Sequence, residues 1–168
     1  MRLKPVNARD LSLETLRLFT GRTPLLTAGD RNICNPMTIG WGGLGELWQK
    51  PVCTVYVRQS RYTFQFMESH DYFTVSVLPE SCRDALHLCG SKSGRDLDKI
   101  AACGLTVRYG AGDAPFFDEA ELVLVCRKLY AQDMKPECVI DQAAAEPFYK
   151  EGDWHRMYVG EVVEAYQA

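Results

Sequence analysis

The sequence predicts a mainly β fold, an antiparallel β-barrel with α-helical insertions, formed by a single domain over residues 1–168. Segments rich in β-branched and aromatic residues contain most of the long apolar runs, as is typical of strands. Patterns with helical spacing are short and do not alternate regularly with these segments, which disfavours a doubly wound parallel sheet. No repeat or linker divides the chain, and apolar residues at 46% suffice for one sizeable core.

The strand-like segments predict at least six strands, separated by turn residues such as Gly104. The longer segments are residues 52–57, 72–78, 121–130 and 157–166, and the shorter ones are residues 25–27, 37–41 and 105–109. Four short helices are predicted, each beginning near a Ser or Asp that could cap it, at residues 11–19, 62–70, 83–89 and 97–103.

Charge and composition disfavour several classes of protein. A formal net charge of −3 argues against a nucleic-acid partner, which would require a basic face. The first ten residues lack the apolar centre of a signal peptide, and no apolar segment is long enough to cross a bilayer. We therefore expect a cytoplasmic protein without a membrane partner. The seven cysteines form no Cys-x-x-Cys pair, so neither a metal site nor structural disulfides are expected.

The first unusual segment, residues 35–45, combines a strand with a glycine-rich turn. Its sequence is NPMTIGWGGLG, which places three glycines within four positions. Glycine lets the backbone approach a ligand closely, and Trp41 offers a flat apolar surface, so a planar ligand would fit there. A glycine-rich hairpin with Trp41 in the core explains the composition equally well. No helical pattern follows the glycines, so the segment is not a dinucleotide-binding motif.

Two further segments have the composition of anion sites. RQSRYT at residues 58–63 ends a strand and opens a helix, where Ser60 would cap the helix and Thr63 would offer its hydroxyl to a phosphate. GSKSGRDLDK at residues 90–99 places two serines and three basic residues between two predicted helices, without the spacing of a Walker loop. The alternatives are a helix cap with solvated arginines and an exposed loop between two capped helices.

His155 lies in the last polar and aromatic stretch, residues 153–162, where it would hydrogen-bond a ligand, titrate near neutrality or serve a structural role. The chain has no Gly-x-Ser-x-Gly motif and no His-Glu-x-x-His pair, so hydrolase and metalloenzyme chemistry are not indicated. Two phosphate-suited turns and one flat surface, without a candidate nucleophile, favour a bound cofactor such as FMN.

Four of these segments together resemble the flavin reductase-like domain family, which includes NAD(P)H:flavin oxidoreductases and flavoredoxins. They occur in the family's order, and the resemblance extends over residues 22–165, with its motifs at residues 35–41, 51–62, 91–99 and 158–162. The resemblance implies an FMN-binding split barrel of Greek-key type, assembled as a homodimer with FMN near the subunit interface.

The resemblance also implies the residues that hold FMN, which itself carries the chemistry without a catalytic side chain. The flavin ring would lie against Cys34, Asn35, Met37, Thr38 and Trp41. The phosphate would lie near Ser60, Arg61 and Thr63, with further contacts from Ser91, Ser93, Arg95 and Lys99, and His155 would lie near the flavin.

Electrons would then pass from NAD(P)H through FMN to a small-molecule or protein acceptor, namely a flavin, a protein or a metal complex. One alternative is a flavoredoxin-type carrier that a protein partner reduces. Another is a module that binds flavin without catalysis.

Overall fold

The computed structural model describes residues 2–168, which form ten β-strands and five α-helices. The strands are Lys4–Val6 (β1), Leu25–Gly29 (β2), Cys34–Thr38 (β3), Gly42–Leu47 (β4), Lys50–Arg58 (β5), Tyr72–Val77 (β6), Val107–Tyr109 (β7), Pro115–Phe117 (β8), Leu122–Asp133 (β9) and His155–Gln167 (β10). The helices are Thr15–Thr20 (α1), Tyr62–Ser69 (α2), Arg83–Ser91 (α3), Lys99–Cys103 (α4) and Gln142–Tyr149 (α5).

One large antiparallel sheet organises the molecule. Its strands follow the order β3-β2-β6-β9-β10-β5-β4, and β1 pairs with the end of β10. The path ends at β3 on one side and at β4 on the other, so the barrel is split rather than closed. β7 and β8 form a separate antiparallel pair. The predicted mainly β, antiparallel class with helical insertions is confirmed.

The first five residues of strand β9, Leu122–Cys126, lie between two apolar clusters, which explains the continuous apolar run at the start of the strand. Leu122, Leu124 and Cys126 pack into the main core, whereas Val123 and Val125 pack into the second cluster beneath β7 and β8. Successive side chains of a strand point to opposite faces, so a strand covered on both faces is apolar at every position. β9 and β10 together form the centre of the sheet.

The glycine-rich segment differs from the prediction of a strand over residues 37–41 followed by a turn. β3 already ends at Thr38, and Gly42, Gly43 and Gly45 belong to β4, which pairs with β5. Trp41 lies between the two strands and is 38% exposed, so the alternative that buries it in the core is wrong.

Two helices begin later than predicted. α1 begins at Thr15 rather than at residue 11, because Leu11, which follows a 3-10 turn at residues 8–10, has an extended backbone. α4 begins at Lys99 rather than at residue 97, because the carboxylate of Asp98 accepts hydrogen bonds from the first backbone N–H groups of the helix.

Gly160 lies at a bulge of β10 where the core leaves no room for a side chain. A Cβ there would lie 2.7 Å from the Phe73 ring and 2.9 Å from the Cβ of Cys126, and both neighbours are fully buried. We expect Gly160→Ala to lower the free energy of unfolding by about 1–3 kcal/mol, the usual cost of overpacking a core. Gly43→Ala is the matched control, because no atom lies within 4 Å of a Cβ at that position. Equal urea midpoints for the two variants would contradict this account.

Candidate functional site

A cavity of about 320 Å³ lies where β3, the turn between β5 and α2, and the segment joining α3 to α4 meet. Helices α2, α3 and α4 all pack against β3, which brings these distant parts of the sequence together. Ten of the residues predicted to hold the cofactor line the cavity: Asn35, Met37, Thr38, Ser60, Arg61, Thr63, Ser91, Ser93, Arg95 and Lys99. The three segments singled out in the sequence therefore form one site.

Asn35 and Thr63 connect β3 to the first turn of α2 and are both buried. The Asn35 amide donates a hydrogen bond to the Thr63 hydroxyl oxygen at 2.7 Å and to the Pro36 carbonyl at 3.3 Å. Because the Thr63 hydroxyl accepts from Asn35, its own hydrogen remains available for an acceptor in the cavity. This pair fixes the position of α2 relative to β3.

Lys99 places a buried ammonium group at the cavity wall, with only 5% of the residue exposed. The ammonium donates to the carbonyls of Pro36 at 2.9 Å and Cys89 at 2.8 Å, so its two hydrogen bonds go to neutral groups and not to a carboxylate. Burial lowers the pKa of Lys99, with a smaller contribution from Arg61. A buried cation held in this way is best stabilised by an anion at its third N–H.

The cavity is strongly cationic although the chain as a whole carries a formal net charge of −3. In addition to Lys99, its lining includes the side chains of Arg58, Arg61, Lys92 and Arg95, against the single carboxylate of Asp153. This local excess of positive charge, combined with hydroxyl donors, is the donor set that a phosphate group requires.

Ser60 does not cap α2, contrary to the prediction. Its hydroxyl donates to one carboxylate oxygen of Asp153 at 2.6 Å, and its backbone N–H donates to the other at 3.1 Å. Arg58 donates to the backbone carbonyl of Asp153 at 2.9 Å. The turn before α2 is thus held by the residues that precede β10.

Arg95 extends across the rim of the cavity. Its guanidinium group lies 5.0 Å from the centre of the Tyr62 ring, and its N–H groups reach the Ser60 carbonyl at 3.5 Å. Its backbone N–H donates to the Ser93 hydroxyl oxygen at 3.2 Å. These contacts hold the segment between α3 and α4 against the start of α2.

Gly94 allows that segment to lie directly over Asn35. A Cβ at this position would lie 1.9 Å from the Asn35 side-chain oxygen and 2.8 Å from the Tyr62 ring. We expect Gly94→Ala to turn the Asn35 amide away from Thr63 and to lower the free energy of unfolding by about 1–3 kcal/mol, because a buried polar group loses its partner. Gly45→Ala, where a Cβ meets no atom within 4 Å, should change the urea midpoint far less. Indistinguishable midpoints would refute the proposed steric contact.

Three of the predicted cofactor residues lie outside this cavity. Cys34 lines a neighbouring cavity of about 380 Å³ behind Asn35, and burial raises the pKa of its thiol to about 11. Trp41 packs against Phe148 and His155, with ring centres 5.1 Å and 4.6 Å apart. The predicted contacts of Cys34, Trp41 and His155 with the cofactor remain predictions.

His155 is buried at the start of β10, opposite Arg58 on β5. Its Nδ1 atom forms a hydrogen bond of 2.7 Å with the Tyr149 hydroxyl. Burial, reinforced by Arg58 and Arg61, lowers the pKa of His155 to about 4. His155 is therefore neutral near pH 7, and the expectation that it titrates near neutrality is wrong.

Several residues that line the cavity were not predicted to hold the cofactor: Arg58, Tyr62, Cys89, Gly90, Lys92 and Asp153. Arg58, Tyr62, Gly90 and Lys92 lie within the two segments already identified as anion sites. Asp153 gave no signal of its own, because its contact with Ser60 joins residues that are 93 positions apart.

Within residues 2–168, no helix has both the length and the apolar character needed to cross a membrane. The same residues contain no group of three or more His, Cys, Asp or Glu side chains placed to hold a metal ion.

Comparison with known proteins relates this fold and site to flavoproteins. A search of curated protein sequences returned no significant match. Among solved structures, flavoredoxin from Methanosarcina acetivorans is 25% identical, with 86% of this chain and 67% of that chain covered and a TM-score of 0.69. An FMN-binding domain of a flavin reductases-like enzyme from Shewanella baltica is 22% identical, with 98% and 76% covered and a TM-score of 0.68. The NADH:FAD oxidoreductase SgcE6 from Streptomyces globisporus is 20% identical, with 86% and 74% covered and a TM-score of 0.64.

The match to a family model covers nearly the whole chain. The model of the flavin reductase like domain matches residues 16–168, which include the cavity and every strand of the large sheet except β1. This chain therefore belongs to the flavin reductase-like domain family.

Proposed function

We propose that the chain binds FMN in the cationic cavity and works as an NAD(P)H-dependent flavin oxidoreductase. The observation that carries the proposal is the buried ammonium of Lys99, whose hydrogen bonds to two neutral carbonyls leave one N–H at the cavity wall. A phosphate there would also meet Arg61 and the free hydroxyl hydrogen of Thr63. Bound FMN would supply the hydride and electron transfer that the protein's own side chains do not perform.

The protein's part is to orient and shield the flavin. Asn35, Met37 and Thr38 line the cavity, and we assign the flavin ring to these residues. Ser91 and Ser93 add hydroxyl donors to the lining. Fixed donors of this kind stabilise negative charge on a reduced ring without having to reorganise.

The donor is assigned to NAD(P)H, and the acceptor to a flavin, a protein or a metal complex. The structural likeness to the NADH:FAD oxidoreductase from Streptomyces globisporus supports this reading. The nicotinamide needs no separate nucleotide-binding fold if it stacks directly on the exposed face of the flavin.

A flavoredoxin-type electron carrier, reduced by a protein partner, is the second candidate. Flavoredoxin from Methanosarcina acetivorans, at 25% identity and a TM-score of 0.69, favours it. A module that holds flavin without transferring electrons is the third.

We further propose that the chain acts as a cytoplasmic homodimer. Three large apolar side chains, Trp41, Ile140 and Phe148, are exposed by 38%, 100% and 49%, and contact with a second copy would cover them. Sedimentation of the FMN-loaded protein tests this proposal, and a monomer with full FMN affinity would refute it.

The deciding experiment is an anaerobic visible spectrum of the purified protein, recorded before and after addition of NADH and then of NADPH, with the released cofactor identified by mass. FMN that bleaches with either nucleotide supports the oxidoreductase. FMN that bleaches only with dithionite excludes both nucleotides as donors and favours the carrier or the binding module. Colourless protein that does not take up added FMN would overturn the proposal.

A further inference from the structure

Cys89 and Cys103 lie in the packed contact between α3 and α4, beside the cavity. Cys89 lies in the last turn of α3 and is 1% exposed, whereas Cys103 ends α4 and is half-buried. Cys103 packs against the apolar cluster that contains Cys89. The Cys103 thiol also donates to the carbonyl of Ala85, one helical turn before Cys89, at 3.8 Å. Both sulfur atoms therefore lie in the contact between α3 and α4.

This pair brackets the part of the chain that forms one wall of the cavity. Residues 90–102, which lie between the two cysteines, supply six of the lining residues: Gly90, Ser91, Lys92, Ser93, Arg95 and Lys99. Lys99 already joins the same two helices, because its ammonium donates to the Cys89 carbonyl. A covalent bond between the sulfurs would close this wall into a loop.

We propose that Cys89 and Cys103 are an oxidation site, at which hydrogen peroxide converts the two thiols into a reversible disulfide. This disulfide would join α3 to α4 and so close the cavity wall into a loop. The Cys103 sulfur attacks one oxygen of peroxide and breaks the O–O bond, which yields a sulfenic acid and one water. The Cys89 sulfur then attacks the sulfenic sulfur, and a second water leaves as the S–S bond forms. In total, the two thiols lose two electrons and two protons, and peroxide is reduced to two waters.

The order of these steps follows from the surroundings of each thiol. Burial raises the pKa of the Cys89 thiol to about 12, which makes Cys89 a poor first nucleophile. Cys103 is the more exposed of the two and meets peroxide first. Once Cys103 is oxidised, Cys89 is the cysteine placed to attack it, because both lie in the contact between α3 and α4.

Two other features of the chain provide internal comparisons. Cys53 and Cys126 also share one apolar cluster, but both are fully buried in the main core, out of reach of peroxide. Cys138 is exposed and lies in the 3-10 turn Pro136–Cys138, outside α3 and α4. Proximity together with access therefore selects one pair among the seven cysteines.

Peptide mass spectrometry of the native protein after treatment with hydrogen peroxide and alkylation tests the site. We expect a peptide pair linked through Cys89 and Cys103, with the loss of two hydrogens and reversal by dithiothreitol. The link should form in the wild type and in Cys138→Ser, but not in Cys103→Ser. Failure of the link to form in the wild type, or a Cys53–Cys126 link in its place, would overturn the site. This readout does not depend on the cofactor.

The effect of the disulfide on the cavity rests on the proposed function and is measured separately. FMN should leave the oxidised wild type several-fold more slowly than the reduced wild type, because the wall can no longer swing open, and Cys103→Ser should show no such difference. Equal release rates despite a proven disulfide would refute the effect of the disulfide on FMN release and leave FMN binding itself unaffected. Protein that takes up no FMN in either state would contradict the proposed function and leave the mass result intact.

Discussion

Acidification from pH 7 to pH 4 is expected to lower the free energy of unfolding by about 3 kcal/mol through His155 alone. Burial holds the pKa of His155 at about 4 in the folded protein, against 6.5 for an ordinary histidine. Arg58 and Arg61 add to this depression, and Asp153 opposes it. Between these two values the unfolded chain binds a proton that the folded chain does not. The contribution is therefore complete above pH 6.5 and is lost as the pH falls towards 4.

Urea unfolding at pH 7, 5.5 and 4 measures this contribution. His155→Gln should remove that part of the pH dependence, so the wild type and the variant differ in slope and not only in stability. His87→Gln is the matched control, because His87 is exposed on α3, and this variant should keep the slope of the wild type. Parallel curves for the wild type and His155→Gln would refute the assignment.

Lys99→Met is expected to weaken FMN binding by about 1–3 kcal/mol, the value of a hydrogen bond to a charged group. Methionine keeps most of the apolar stem but removes the three N–H donors. The Pro36 and Cys89 carbonyls then lose their partner as well, which loosens the contact of α3 and α4 with β3. The dissociation constant for FMN should rise roughly ten- to hundredfold.

Quenching of flavin fluorescence on titration with protein measures this constant. Lys92→Met is the matched control, because Lys92 lines the same cavity but is exposed, so its charge is screened by solvent. Its effect should be several-fold smaller and should fade with added salt. Equal losses in the two variants would mean that net charge, and not the buried donor, holds the phosphate.

Local patterns in the sequence were sufficient for most of the strands and for the composition of the site. The apolar runs of β5, β6, β9 and β10 predicted strands because each is long and rich in β-branched residues. The site segments could be recognised because hydroxyl, basic and glycine residues are adjacent in the sequence there. That these segments come together in one site was predicted from the family resemblance and not from any local pattern.

Features that depend on tertiary contacts could not be predicted. Helix α5 was not predicted, because Pro147 lies inside it and none of its residues is buried. Its local signals are Asp141, which caps the helix, and the three alanines that follow. The burial of His155 follows from the packing of Trp41 and Tyr149 around it, and the partner of Ser60 is far away in the sequence. In each case a distant contact, rather than local propensity, decides the environment of the side chain.

Because β10 is central in the sheet, the cavity can form only after this strand has been synthesised. β10 follows all other strands along the chain, yet it lies between β9 and β5 in the sheet. A nascent chain that has not yet exposed residues 155–167 leaves both of those strands with an open edge, and the turn before α2 awaits the contacts that lead into β10. Such long-range pairing forms late in folding. Uptake of the cofactor is therefore expected only after residues 155–167 have been synthesised, and chains stalled before that point are expected to aggregate through two unpaired strands.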